Sequence, residues 1–335
     1  MVKGIDWEAR IGRRVRLRDL HILSAVVHAG SMIKGASELG VSQPVVSQAI
    51  ADLEAAIGVR LLDRSSRGIE PTVYGRALLK HSQAAFDDLR QGIREIESIA
   101  DPAGGEIRVG CPESLCGPLL TPAIKRLLRV RPRASFNVAH VYTLSAALEF
   151  PELRDRSVDL VLARLVKPFG EFEFEEDLRV EHLFDEDLVV VAGAENPWAR
   201  RRRIELAELA GASWVLPPNS WNMLLVREAF AVIGHEMPRT TVETFSVALR
   251  NQLLASGEFV AAVPGSMLQA NTGHGLKVLP ISLPVRPWPV VMVALKNRTV
   301  APPVEHFAEI VRGVVTSRRR LQTTPNRRIG AAVRT

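Results

Sequence analysis

The sequence predicts an α/β protein: a small head with a helix-turn-helix pattern, one long helix, and a larger α/β body in two parts. Three observations lead there. Glycine and serine punctuation divides the N-terminal segment into short helices, and one helical stripe then runs unbroken from Thr72 to Ile99. Beyond a break at Asp101-Pro102-Ala103-Gly104-Gly105, apolar strands alternate with amphipathic helices, the pattern of a largely parallel sheet. At 335 residues the chain has room for two or three domains of roughly 150 residues each.

Composition narrows the class. With 47% hydrophobic and 24% charged residues, 23 Gly and 21 Pro, the chain is not collagen-like, disulfide-scaffolded or wholly disordered. Apolar runs such as residues 289–295 fall far short of the ~20 residues that span a bilayer. The start, Met1 to Glu8, carries acidic residues and no apolar signal core. Two cysteines, Cys111 and Cys116, are too few for a disulfide framework or a four-ligand zinc site. The expectation is a soluble cytoplasmic protein with no membrane partner, no metal and no cofactor.

Charge is unevenly spread. Residues 1–80 hold 12 Lys/Arg against 8 Asp/Glu, and from Arg312 onward there are 7 Arg and no acid. The net +6 therefore leaves the middle acidic by five charges. A basic head on an acidic body suggests a polyanion-binding module joined to one that binds no polyanion. The tail, with Arg318-Arg319-Arg320 and Arg327-Arg328, reads as a solvated end; the alternative is sequence-blind attraction to DNA.

Within the head, Leu17, Leu20, Leu23, Val26 and Val27 define a first helix closed by Ala29-Gly30. Ser31 is the expected N-cap of a second helix, Met32 to Leu39, with Ile33, Ala36 and Leu39 facing inward. Gly40 permits a sharp turn and Val41 plugs it. Ser42 then caps a third helix with Pro44 in its first turn, an apolar stripe of Val46, Ile50, Leu53 and Ile57, and a stop at Gly58. Two helices joined by a glycine turn, the second opening on a polar face, form a helix-turn-helix pattern. In that arrangement Gln43, Ser47 and Gln48 face base edges in a major groove, and Pro44 and Val45 offer apolar contacts. A generic three-helix bundle with a polar surface is the competing reading.

The next segment, Val59 to Thr72, reads as strand, basic turn and strand: a hairpin wing whose Arg64 and Arg67 lie over phosphates or enter the minor groove. Here the residues carry a resemblance. Gly30-Ser31, Val41-Ser42-Gln43-Pro44, Leu53-Glu54, Gly58-Val59-Arg60-Leu61-Leu62-Asp63-Arg64 and Pro71-Thr72-Val73-Tyr74-Gly75, in this order, resemble the winged helix-turn-helix of LysR-type transcriptional regulators. The resemblance implies that Ser31, Ser42, Gln43, Pro44, Ser47, Gln48, Arg64 and Arg67 form the DNA-binding surface. Gln48 departs from the pattern, standing where a basic residue is common.

The long helix places Tyr74, Leu78, His81, Ala85, Leu89, Ile93 and Ile96 near one stripe, suited to packing along another helix, with His81 expected to be a packed histidine. Gly92 inside it suggests a close crossing. The family resemblance implies that this linker helix dimerises. Expected boundaries are therefore an extension at 1–16, the DNA-binding domain at 17–75, the linker at 76–103, the body at 104–315 and a basic tail at 316–335.

In the body, strands are expected at 106–110, 135–141, 158–163, 188–192, 214–216 and 288–295. Helices are expected at 119–129, 144–153, 224–233 and 247–254, and around Val304, Phe307, Ile310, Val311 and Val314. A second α/β unit spans about 188–279. This organisation resembles the family's effector-binding domain, whose two lobes are shaped like type 2 periplasmic binding proteins. Asn196-Pro197-Trp198-Ala199, Trp214-Val215-Leu216-Pro217-Pro218 and Val242-Glu243-Thr244-Phe245-Ser246-Val247 resemble a subgroup regulating sugar and aromatic-acid metabolism.

Ligands of open α/β folds bind beyond the carboxyl ends of strands, often at helix N-termini. That rule selects Ser114 within Pro112-Glu113-Ser114, Thr143 after Tyr142, Arg164, Ser220 at the end of the stretch from Pro217, and Ser246 as effector-binding candidates. Hydroxyls suit a sugar or a carboxylate, and Arg164 suits a bidentate carboxylate pair. The local alternative is that Ser114, Thr143 and Ser246 only cap helices and that Arg164 pairs with a structural carboxylate such as Glu113. Catalytic motifs are absent: no G-x-x-x-x-G-K-[ST], strand-linked G-x-G-x-x-G, G-x-S-x-G or H-E-x-x-H occurs. The two cysteines, five apart, read as burial or chance rather than a redox pair.

The expected function is that of a DNA-binding regulator, not an enzyme. It would contact double-stranded operator DNA, a small-molecule effector (an aromatic acid or a sugar), RNA polymerase and its own copies as a homodimer or homotetramer. The rivals are a ligand-independent DNA binder and, more remotely, an α/β enzyme.

Overall fold

The computed structural model describes residues 13–65, 68–141, 150–165, 169–171, 174–270 and 275–323. They fall into two compact units that divide between Arg90 and Gln91.

The first unit opens with α1 (Leu17–Ala29), α2 (Met32–Glu38) and α3 (Gln43–Ile57). Leu23, Val26, Val46, Ile50 and Leu53 are fully buried between them. Gly30 and Gly58 close α1 and α3 in the left-handed region, at φ 63° and 85°, where glycine carries no steric penalty. One expectation is corrected here. Ile33 is 71% exposed, and Met32, Gly35 and Ala36 form the inward face of α2. A Cβ on Gly35 would stand only 3.0 Å from the Val26 Cα. The two helices approach through small residues, and that register turns Ile33 outward. Val41 is half-buried in the turn.

A hairpin of β1 (Leu62–Ser65) and β2 (Gly68–Pro71) follows, in register Leu62↔Pro71 and Arg64↔Ile69. The long helix α4 (Val73–Ala100) comes next. Its two faces are inverted relative to an ordinary surface helix. Ser82, Asp87, Gln91 and Ser98 are buried, while Val73, Tyr74, Leu89, Ile93, Ile96 and Ile99 are exposed. His81, expected to be packed, is exposed on that outer side as well, and a Cβ on Gly92 would meet nothing within 4 Å.

The second unit contains two mixed sheets. The first lobe has β3 (Gly104–Cys111), a short turn and π-helix over 113–120, α5 (Thr121–Val130), β4 (Arg133–His140), β5 (Leu160–Arg164) and β6 (Leu178–Glu186). The chain crosses at Asp187 into the second lobe: β7 (Leu188–Gly193), β8 (Ser213–Leu216), α6 (Trp221–Val232), β9 (Thr240–Glu243), α7 (Val247–Ala255), β10 (Phe259–Pro264), α8 (Gly265–Ala270) and β11 (Leu276–Val278). It returns through β12 (Trp288–Leu295) and ends in α9 (Pro302–Thr323).

Strand orders are β4-β3-β5-β12-β6 and β11-β7-β10-β8-β9. In the first sheet β12 alone runs against the others; in the second, β7 does. The largely parallel sheets expected from the sequence are thus each interrupted by the strand that follows a crossover. Ile107, Val109, Leu119, Leu127 and Phe307 centre one core, and Trp214, Leu225, Phe230 and Val260 the other. Strands β6, β9, β10 and β11 were not anticipated. Of the helix expected over 144–153, residues 144–149 lie outside the described residues and Pro151–Arg154 forms a single turn.

A buried ionic knot fixes the last turns of α4 within this unit. Asp159, beside β5, has no exposed side-chain surface and pairs with Arg108 of β3 at 2.7 Å, Arg298 at 3.0 Å and Arg94 of α4 at 3.5 Å. Arg318, assigned by charge pattern to the solvated tail, instead continues α9, donates to the Ser266 carbonyl at 3.3 Å and lies 5.9 Å from the Phe184 ring centroid. Residues 324–335 lie outside the described residues.

Candidate DNA-reading surface and ligand cleft

The reading surface is the first turn of α3. Ser42, Gln43, Pro44, Val45 and Gln48 are exposed, Ser47 is half-buried, and Val46 and Ile50 anchor the rear. Ser42 takes the extended N-cap conformation, and its carbonyl accepts the Val45 and Val46 amides at 3.1 and 3.3 Å. Its hydroxyl makes no capping bond, nor does that of Ser31, contrary to expectation. Instead the polar side chains bond along the helix: Gln43 Nε2 donates to Ser47 Oγ at 2.9 Å, and Gln48 Nε2 donates to Asp52 Oδ1 at 2.7 Å.

The wing is tied to this reader by residues of the quoted motifs. Glu54 Oε1 accepts the Leu61 and Leu62 amides at 2.7 and 3.2 Å. Thr72 Oγ1 donates to the Arg60 carbonyl at 2.8 Å and accepts the Gly75 amide at 3.0 Å. A Cβ at Gly75 would fall 2.1 Å from the Leu61 carbonyl oxygen, so only glycine fits where α4 passes the wing. Arg64 lies in β1; Arg67 lies outside the described residues.

The second unit holds a cleft between its lobes, with about 710 Å3 of empty space open to solvent. The first lobe supplies Ser114, His140 and Arg164 at the carboxyl ends of β3, β4 and β5. The second supplies Ser220, Ser246 and Arg250 after β8 and β9. Ser114, Arg164, Ser220 and Ser246 thus come together as the strand-end rule predicts, while Thr143 lies outside the described residues.

Their hydrogen bonds differ in kind. Ser220 Oγ accepts the Met223 amide at 3.3 Å and donates to the Pro217 carbonyl at 2.6 Å. Ser246 Oγ accepts the Leu249 amide at 3.2 Å. Both hydroxyls therefore cap helices, which for Ser246 is the local alternative and for Ser220 was not anticipated. Arg164 pairs with Glu186, not with Glu113: its Nε and Nη2 donate to one Glu186 oxygen at 3.0 and 2.6 Å, and its Nη1 donates to Ser114 Oγ. Its guanidinium also sits 5.3 Å from the Trp221 ring centroid. The other Glu186 oxygen accepts the Ser266 amide at 2.8 Å, joining the lobes at the crossover.

Sequence reasoning missed Arg250. It is 8% exposed and donates to Asn251 Oδ1 at 3.1 and 3.3 Å. Burial lowers its pKa to about 10, partly offset by the nearby Glu113 charge. The available signal was spacing: Val247, Arg250, Asn251 and Leu254 recur as one face of a helix. Near the cleft, the Cys111 and Cys116 sulfurs are 3.8 Å apart. The contact with Cys111 lowers the Cys116 pKa, while that contact and burial raise the pKa of Cys111. Among the described residues no group of side chains is arranged to hold a metal ion, and no helix is long and apolar enough to cross a membrane.

A helix-turn-helix with an exposed first turn, and a bilobal domain with an open cleft, define a DNA-binding regulator that carries a ligand-binding domain. Residues 17–76 match the family model described as bacterial regulatory helix-turn-helix protein, lysR family, and residues 100–316 match the LysR substrate binding domain. The chain belongs to the LysR family of transcriptional regulators. It is 26% identical over 292 residues to the regulator GbpR of Azospirillum brasilense, covering 86% of this chain and 83% of that one. Similarity to PcaQ of Agrobacterium fabrum is also 26%, covering 90% and 96%. Among solved structures, full-length CbnR complexed with its target DNA superposes with a TM-score of 0.60 at 21% identity, covering 90% of this chain and 100% of that one. These relatives are transcriptional regulators, not enzymes.

Proposed function

We propose that this regulator reads its operator through the first turn of α3, with Gln43, Pro44, Ser47 and Gln48 at base edges, Ser31 and Ser42 at the backbone, and Arg64 and Arg67 of the wing on phosphates. The exposure of that turn over a fully buried rear face carries the reading. Two copies associate through the apolar stripe of α4, alone or as a dimer of dimers, and set recognition helices ~34 Å or a multiple apart. A small-molecule effector, an aromatic acid or a sugar, occupies the cleft of the second unit near Ser114, Thr143, Arg164, Ser220 and Ser246. By binding one arrangement of the assembly more tightly it shifts a pre-existing equilibrium, altering DNA bending and contact with RNA polymerase in the cytoplasm.

The test is a thermal-shift screen of aromatic acids and sugars on the full chain, followed by operator-bending measurements with any hit. The reading expects a ligand that raises the melting temperature and changes the bend angle. An unchanged bend at saturating ligand overturns it.

A further inference from the structure

Arginines buried among the described residues differ in how their charge is met. Arg164 pairs with Glu186, and Arg298 pairs with Asp159. Arg250 has only neutral acceptors at bonding distance, two bonds to Asn251 Oδ1 and a 3.9 Å contact to Met267 Sδ. No carboxylate of the described residues lies within ion-pair distance of it. A buried cation without an anion is costly, and this one lines the cleft. One turn earlier, α7 begins at Val247, whose amide points into the same space.

That amide is already taken, from across the cleft. Glu113 of the first lobe accepts the Val247 N–H at 3.3 Å through Oε2, and its charge acts on Arg250. A carboxylate of the protein itself thus sits at the start of α7, where the helix favours negative charge. Glu113 is exposed at the cleft mouth and its side chain is held there by the Val247 amide, so its departure breaks little else among the described residues. Around it Val141, Trp221, Phe245 and Pro264 provide an apolar wall.

We propose that the effector is a small organic acid whose carboxylate binds between Arg250 and the N-terminus of α7, displacing Glu113. Glu113 is the built-in competitor: empty, the lobes are joined directly through Glu113 and Val247; loaded, they are joined through the ligand. Arg164, whose charge is already met by the buried Glu186 carboxylate, is not the ligand carboxylate's partner. This rests on the reading of the cleft as the effector site.

The test uses full-length Glu113→Ala protein, because acetate is the fragment that substitution removes. Thermal shifts are recorded in sodium acetate, acetamide and sodium phosphate at ionic strength held constant with sodium chloride. Saturable acetate binding is expected at about tenfold or greater affinity than to wild type, with no response to acetamide. Adding Arg250→Gln should abolish it. Equal acetate affinity in wild type and variant, an equal acetamide response, or survival of the effect with Arg250→Gln overturns the proposal. Tighter binding of phosphate than of acetate overturns the assignment to a carboxylate. Operator bending by acetate-loaded Glu113→Ala is measured in parallel: binding without a bending change keeps the anion site and sinks the cleft's regulatory role instead.

Discussion

Arg298 and Asp159 meet at 3.0 Å with no exposed side-chain surface on either partner. Arg108 and Arg94 converge on the same carboxylate, so one acid holds β3, the segment after β12 and the end of α4 together. Removing that charge takes away the buried anion these arginines share, and breaking a buried pair on one side typically costs ~3–5 kcal/mol. Asp159→Asn should lower the stability of the unit containing residues 91–323 by that order. Tryptophan fluorescence during urea unfolding reads this directly, since Trp198, Trp214, Trp221 and Trp288 all lie in that unit. A loss below the error of the measurement would remove the knot from the account of the fold.

The reading turn can be separated from phosphate anchoring. Gln43→Ala should cost ~1–3 kcal/mol on the correct operator and blunt discrimination against other sequences. Arg64→Ala should weaken binding to all duplexes alike and reduce the slope of affinity against salt by about one phosphate contact. Gel-shift titrations across salt concentrations check both, and intact specificity in Gln43→Ala would relocate the reader.

The outward stripe of α4 predicts self-association. Ile93→Asp combined with Ile96→Asp places charge in a surface that two copies would bury, and light scattering should then report monomers. Operator affinity should fall on the order of 100-fold as the two half-sites lose their linkage. A variant that remains dimeric assigns association to another surface.

The cysteine pair predicts unequal reactivity. The pKa of Cys116 is lowered by its contact with Cys111, and Cys116 is the more accessible of the two. Iodoacetamide should therefore label Cys116 first, with a rate that rises with pH through a midpoint below that of an unperturbed thiol. Mass spectrometry of the labelled chain decides, and faster labelling of Cys111 would contradict the geometry.

Local chemistry made much of the architecture legible. Gly30 and Gly58 announced their helix ends because only glycine rests easily at their φ values. The strand at 288–295 was readable from an apolar run too long for a loop. Long-range pairing was not readable. Arg164 and Glu186 are 22 residues apart, and nothing local distinguishes Glu186 from Glu113 as the partner. Arg250 looked like any helical arginine, because helical charges usually face water and its burial arises only once α7 packs on β7 and β10 within the second lobe. The inward face of α2 was misplaced by one residue at Ile33, since Gly35 marks the close contact without contributing bulk.

The interior position of β12 bears on how the chain is made. During synthesis from the N-terminus, β6 has no neighbour until residues 288–295 have emerged, because β12 alone separates it from β5. The second lobe, uninterrupted from β7 to β11, has all its strands in hand earlier. Ribosome-bound nascent chains should therefore bury the later-encoded lobe first, leaving its predecessor an unfinished sheet awaiting one insertion.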